Sequence, residues 1–343
     1  MALCRHPSWV EVSDVSAHRL VDSGRLGRLV NTLHAPAAQF PQILLFVGAD
    51  SKNDAIDNLF PNHGAARKRP SHGLNDLYID PSRARQRNPV FFVDCSPEAP
   101  VPIRSKGPKD HERASFDTAW QMTTEEQKQI VLTRVMFPFV DIIAVFADDF
   151  SGLDAVFSLL QRWTQGDAAT TLPRKARPRI CVIVTSPSTW NGLVQQRAFN
   201  ARLRELRVSR HFSSIRLICL PHGNTGKQYL RRILLQNELG IARQNRQLER
   251  VFFAAPHLSF FFTRAVAHVA RSVHEPFDFV CASRIYRPLP AGFGEQVSRF
   301  LRLAHENNFP DDVTVAVVAS SLVLDAFPPG SHRECRTVLL VWR

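Results

Sequence analysis

The chain has 343 residues, 44% of them hydrophobic and spread along its length, so one large or two ordinary packed domains are expected and disorder is not. Its longest apolar runs, residues 142–147 and 313–319, fall far short of the ~18 residues of a membrane span. The start Met-Ala-Leu-Cys-Arg-His-Pro lacks the basic-then-apolar pattern of a signal peptide, which makes a cytoplasmic protein the expectation.

A balance of 43 Lys+Arg against 31 Asp+Glu, net +12, favours acidic partners such as nucleotide, nucleic acid or anionic lipid. The cations are scattered, however. Only Arg67-Lys68-Arg69 and Arg174-Lys175-Ala176-Arg177 cluster, both in Pro-flanked loops, and no basic stripe is interleaved with aromatics. Solvated loop charge is the plainer reading, and nucleic acid is the less expected partner. The six cysteines never approach Cys-x-x-Cys spacing, which points to small reduced core side chains rather than a metal site or disulfides. Cys181 and Cys219 fall inside expected buried strands.

In chain order, residues 1–40 read as an N-terminal extension. Residues 43–47 are a continuous apolar run rich in β-branched and aromatic side chains, followed by a Gly, a polar turn and a helical pattern at 55–59. Runs of the same kind recur at 90–93, 142–146, 180–184 and 215–220. Uninterrupted apolar strands are the mark of a sheet buried on both faces, hence parallel. Helical patterns at 124–136, 153–163 and 193–206 lie between them, the first opened by a capping box from Thr123 or Thr124 to Glu126 or Gln127. Alternating strands and helices over residues 41–222 predict an α/β domain with a doubly wound, mainly parallel sheet in which the first four runs are parallel neighbours. Residues 61–89 and 97–118 read as long irregular insertions, placed where a nucleotide-dependent switch would be expected. From 223 to 330 the pattern is helical, at 228–237, 244–253, 258–273, 294–305 and 313–324. That fits either a second domain or a cap on the sheet. The end, 331–343, reads as a strand without a partner and suggests a truncated chain.

The informative stretch is Gly48-Ala-Asp-Ser51-Lys52-Asn53 between strand and helix. Backbone N–H groups, a helix N-terminus and a lysine in that setting form a phosphate-binding loop of the P-loop NTPase type. A working loop reads G-x-x-x-x-G-K-[ST]. Here the spacing from Gly48 to Lys52 is two residues too short, Ser51 replaces the second Gly, and Asn53 replaces the metal-binding hydroxyl. Asp94, at the end of the second strand, is the candidate Mg²⁺ ligand, but Glu98 follows the Pro97 of its Asp-x-x-Pro where GTPases carry Gly. Asp148, Asp149 and Ser151 follow the third strand, as caps for the next helix or as a metal or nucleotide contact. Thr185-Ser-Pro-Ser-Thr-Trp190 stands where a GTPase would carry Asn-Lys-x-Asp, so the usual grip on guanine is absent, though Trp190 could stack on a base. Finally, His222-Gly-Asn-Thr-Gly226-Lys227 offers either an ordinary turn or a second anion site.

The Lys52 loop, the long insertion, Phe92-Val-Asp94-Cys95 and the run from Phe137-Pro-Phe-Val to Ser-Gly-Leu-Asp154 together resemble a GTPase-like region. That region belongs to the N-terminal half of large fungal patatin-like phospholipases. Pro276-Phe-Asp-Phe-Val280 through Arg284 is similar to their helical segment, and the resemblance spans roughly residues 40–325. Lipid chemistry in such proteins needs a G-x-S-x-G elbow, and no serine here has Gly at both −2 and +2. The resemblance therefore implies a regulatory or self-associating module without lipase activity. The reading that follows is a non-catalytic or weakly nucleotide-binding module, with no certain cofactor. Lys52→Ala is expected to leave its stability nearly unchanged. An active GTPase or ATPase would instead use Lys52 on phosphate and Asp94 on Mg²⁺ to bind GTP or ATP. A basic nucleic-acid-binding protein is the third reading.

Overall fold

The computed structural model describes residues 7–13, 19–61, 75–96, 114–118, 120–185, 192–206, 210–221, 223–284 and 292–326. They divide into two compact units, the first ending at Phe279 and the second beginning at Val280.

Strands β1 (Val10–Ser13) and β2 (Arg19–Asp22) form a small antiparallel sheet with β6 (Ala114–Asp117). Together with helix α1 (Arg25–Asn31), they make the expected N-terminal extension part of the first unit. Its side chains are core: Trp9 is fully buried and stacks on Phe262 with centroids 4.5 Å apart.

The main sheet comprises β3 (Gln42–Val47), β4 (Asn75–Ile79), β5 (Val90–Cys95), β7 (Ile142–Phe146), β8 (Arg179–Val184) and β9 (Ser214–Cys219), in the order β4-β5-β3-β7-β8-β9. The four expected neighbours pair parallel, with Gln42 opposite Val90, Leu44 opposite Ile142 and Ile142 opposite Arg179; β9 joins β8 in the same sense. Every residue of β3, β7 and β8 is buried, which is why their sequences do not alternate. The insertion at 61–89 contains β4, an antiparallel edge strand that places Asp76 opposite Asp94. Residues 7–9 bridge its outer side, with Trp9 N donating to Asn75 O (3.0 Å) and Leu77 N to Pro7 O (2.8 Å), so its polar Asn75 and Asp76 are buried. The other expected insertion, 97–118, contains β6; residues 62–74 and 97–113 lie outside the described residues.

One face of the sheet packs on α2 (Asp50–Leu59), α6 (Gly223–Arg231) and the π-helical turn Arg232–Glu238 that continues it. Phe60 stacks on Phe92 at 4.2 Å and meets Phe46 edge-on at 6.1 Å. Helix α3 (Thr124–Ile130) opens with the Thr123–Glu126 capping box and runs into a π-helical turn, Val131–Met136. Helix α7 (Leu239–Leu248) follows the turn after α6 directly and lies along the N-terminal edge of the strands. There Gln42 Nε2 donates to Leu239 O (2.9 Å), Arg246 pairs with Asp141 (3.1 Å), and Glu238, fully buried, pairs with Arg179 (2.7 Å) and Arg216. Helix α8 (Ala255–Arg271) packs against α1, β2 and β6.

Residues 223–239 therefore share the main sheet's core, α8 covers the small sheet, and no boundary between the compact units falls after 222. The helix expected at 244–253 begins earlier and stops at Leu248, where Arg250 takes a left-handed backbone (φ 56°). Cys219 is exposed rather than buried, because it ends the edge strand β9. Helices α4 (Leu153–Trp163) and α5 (Gly192–Glu205) complete the layers. The short α9 (Phe279–Ser283) leads out of the first unit. In the second unit α10 (Phe293–Glu306) and α11 (Asp311–Ala326) pack on each other. Among the described residues no helix is long and apolar enough to cross a membrane.

Candidate functional site

Because β3 is central, the chain leaves it for β5 on one side and reaches β7 on the other, which makes the carboxyl ends of these strands the switch point where α/β sheets place a ligand crevice. The sequence-derived residues gather there. β3 ends at Val47, and Gly48 turns the chain into α2 with φ 153°, a conformation that favours glycine. The residue before α2, Ala49, has no side chain able to cap the helix. The cap comes instead from Asp149, which sits after β7. Its Oδ2 accepts from the amides of Ala49 (2.7 Å) and Lys52 (2.9 Å), and its Oδ1 accepts from that of Ser51 (2.8 Å). A Cβ on residue 48 would lie 2.3 Å from Oδ2, so Gly48 makes room for the carboxylate itself.

Asp149 was expected to cap the helix that follows it. That helix, α4, starts at Gly152 (φ 93°) without a side-chain cap, and Asp149 caps α2 across the sheet. Asp148 accepts from the amide and the hydroxyl of Thr185, each at 2.5 Å, and ties the end of β7 to that of β8. The rest of the Thr185–Trp190 stretch lies outside the described residues.

Lys52 is buried, with 1% of its side chain exposed. Its Nζ lies 2.5 Å from Asp94 Oδ1, an ion pair off the hydrogen-bond line, and donates to Ser96 Oγ (2.6 Å) and Cys95 O (3.4 Å). An ammonium has three protons, and three acceptors of β5 and its end surround this one. Burial, only partly offset by the Lys52 charge, pushes the Cys95 thiol up to about 12, and the thiol stays protonated. Ser51 contributes its amide alone. Asn53 is exposed on α2, apart from the Lys52–Asp94 pair.

A nucleotide phosphate with Mg²⁺ would need the amides of 49, 51 and 52, the Lys52 ammonium and a free Asp94. All are committed to other groups, and the Asp149 carboxylate occupies the phosphate position with like charge. The residues, so arranged, do not fit that ligand. The second candidate loop opens α6, and a Cβ on Gly226 would lie 2.0 Å from Pro221 O. The glycine there serves close packing. Lys227 faces a cleft of about 190 Å³ between α2 and α6, across from Asp54 and Asn58.

Sequence reasoning found Gly48, Ser51, Lys52 and Asp94 in one place but not the group that closes it. The usable signal was a loop too short to ring a phosphate combined with the carboxylate doublet Asp148-Asp149 at the end of the third apolar run. No protein-family model matches the chain. No curated protein matches it either, and the resemblance to fungal patatin-like phospholipases finds no support. Among solved structures it is similar to an ADP-ribosylation factor-like GTP-binding protein, the small COPII coat GTPase SAR1 of Encephalitozoon cuniculi in complex with GDP. The identity is 8% and the TM-score 0.29, over 66% of this chain and 86% of that one. So slight a likeness carries no argument, and the α/β architecture rests on the strand order above.

Proposed function

We propose that the first unit is a P-loop GTPase-like module that does not turn over nucleotide and acts through conformation and protein contacts. The strand–Gly–turn–helix with Lys52 and a central first strand support the P-loop likeness. The observation that carries the non-catalytic reading is the Asp149 carboxylate seated on the amides of Ala49, Ser51 and Lys52. A ligand phosphate must displace it, forgoing charged hydrogen bonds worth roughly 1.5–3 kcal/mol each. Two such losses move a micromolar site to about millimolar.

Calorimetric titration with GTP and with ATP, in Mg²⁺, tests this. The expected result is no binding tighter than about 1 mM, with phosphate or pyrophosphate affinity rising roughly tenfold or more in Asp149→Ala, which frees the amides. Binding of GTP or ATP below about 10 μM by the unaltered protein would overturn the proposal and favour an active nucleotide hydrolase.

A further inference from the structure

The chain contains 36 arginines and 7 lysines, and the fold collects sequence-distant ones along the N-terminal edge of the main sheet, opposite the phosphate-loop crevice. The turn between β4 and β5 carries Arg83, Arg85 and Arg87. Phe40 N, just before β3, donates to Arg87 O (2.8 Å), and Gln42 N donates to Pro89 O (2.9 Å). The turn before β8 carries Arg174, Lys175 and Arg177, and Arg177 reaches the carbonyl of Arg210, just before β9. Helix α7 runs across the same edge. Arg243 binds Asn88 Oδ1 (3.2 Å), and the helix packs on the turn Arg174–Ala176. From β5 to β9 this row crosses four strand spacings, about 19 Å.

Some of the carboxylates at this edge face inward. Asp80, Asp141 and Glu238 are buried; Asp141 and Glu238 are paired with arginines, and Asp80 lies against Ser82 and Arg83. Half-buried Glu249 and Asp278 and exposed Asp167 and Glu275, the last beside the residues that lead into the turn before β8, stand against six exposed cations, Arg85, Arg87, Arg174, Lys175, Arg210 and Arg250. The field is felt locally. Burial lowers the pKa of His211, and the charges of Arg134, Arg177 and Arg210 lower it further. Between the cations α7 exposes Gln244 and Gln247, amides that hydrogen-bond phosphate oxygens and base edges. The Arg87 guanidinium lies 5.6 Å from the centre of the Phe40 ring. Planar guanidinium forks match phosphate better than ammonium groups do. Polar amides between them, with only Ile241 and Leu248 as exposed apolar side chains of α7, suit a nucleic acid better than a lipid surface.

We infer that this arginine-lined edge binds the phosphodiester backbone of nucleic acid. The inference is independent of the phosphate-loop reading, since none of its residues lies at that crevice. The test is fluorescence anisotropy of the whole chain with a labelled single-stranded RNA of about 20 nucleotides, duplex DNA of equal length, and phosphatidylserine-containing vesicles. Binding to RNA that weakens steeply with salt is expected. The triple variant Arg85→Glu, Arg174→Glu, Lys175→Glu should lose roughly tenfold or more in affinity at ~100 mM salt, and its salt slope should be shallower by about 2, at ~0.7 per phosphate contact on a single strand. The corresponding Gln triple should lose less than the Glu triple. A control of equal charge change, Arg197→Glu, Arg299→Glu, Arg302→Glu, should stay within about threefold. Circular dichroism checks that all the variants are folded. Three results would each overturn the inference: no binding of RNA or DNA at ~50 mM salt, equal losses in edge and control triples, or binding to vesicles alone.

Discussion

Lys52 shows how far one side chain's role depends on where its neighbours lie. In sequence it is a charge at a helix start, free to meet a phosphate, and its removal is expected to cost little. In the fold its stem is buried and its ammonium is bound to Asp94, Ser96 and Cys95 O. Removing one partner of a buried pair leaves a cavity and an uncompensated charge. Lys52→Ala should therefore cost about 3 kcal/mol in equilibrium urea unfolding, at the low end for buried pairs because Asp94 is 34% exposed and can regain water. A cost under about 0.5 kcal/mol would return Lys52 to the status of a surface charge. Asp149 has the converse history: the fold makes a residue read as a local cap into the cap of a helix about 100 positions earlier.

At the scale of elements, the four buried parallel strands were legible because burial on both faces leaves a continuous apolar run, a signal that needs no partner to be recognised. β4 was not, since Asn75 and Asp76 break the pattern that marks a central strand. The start of α3 was legible because a capping box is local. Thr123 Oγ1 accepts from the Glu126 amide at 3.3 Å, and Glu126 Oε2 accepts from the Thr123 amide at 2.8 Å. Thr123→Ala should thus lower stability by about 1 kcal/mol, read as a shift in urea midpoint with unchanged slope. No loss would mean that the π-helical turn after it, not the cap, holds the helix. The end of α7 was misjudged because Arg250 has no Gly to announce its left-handed backbone.

For the whole molecule, pH reports the gathered charge. His211 has a folded pKa below its ordinary 6.5, through burial first and then Arg134, Arg177 and Arg210. The unfolded chain therefore takes up a proton where the folded one resists it. This contribution to stability is present above the unfolded pKa and is lost as pH falls from there toward the lower folded value. His211→Gln should accordingly flatten the decline in urea midpoint between about pH 7.5 and 5.5; an unchanged decline would place its cause in other groups. The sequence by itself determined the class of architecture, five of the main sheet's six strands and the loop carrying Gly48, Ser51 and Lys52 with Asp94 at a strand end, since apolar periodicity and a strand–Gly–turn–helix grammar are local properties. Only the tertiary structure decided what that loop holds and where the arginines point. Asp149 reaches the loop through pairing of β3 with β7, and residues 83–87, 174–177 and 210 line one edge because parallel strands begin there. The first joins segments 100 residues apart and the second joins segments 33 or more apart, separations that no local window of sequence spans.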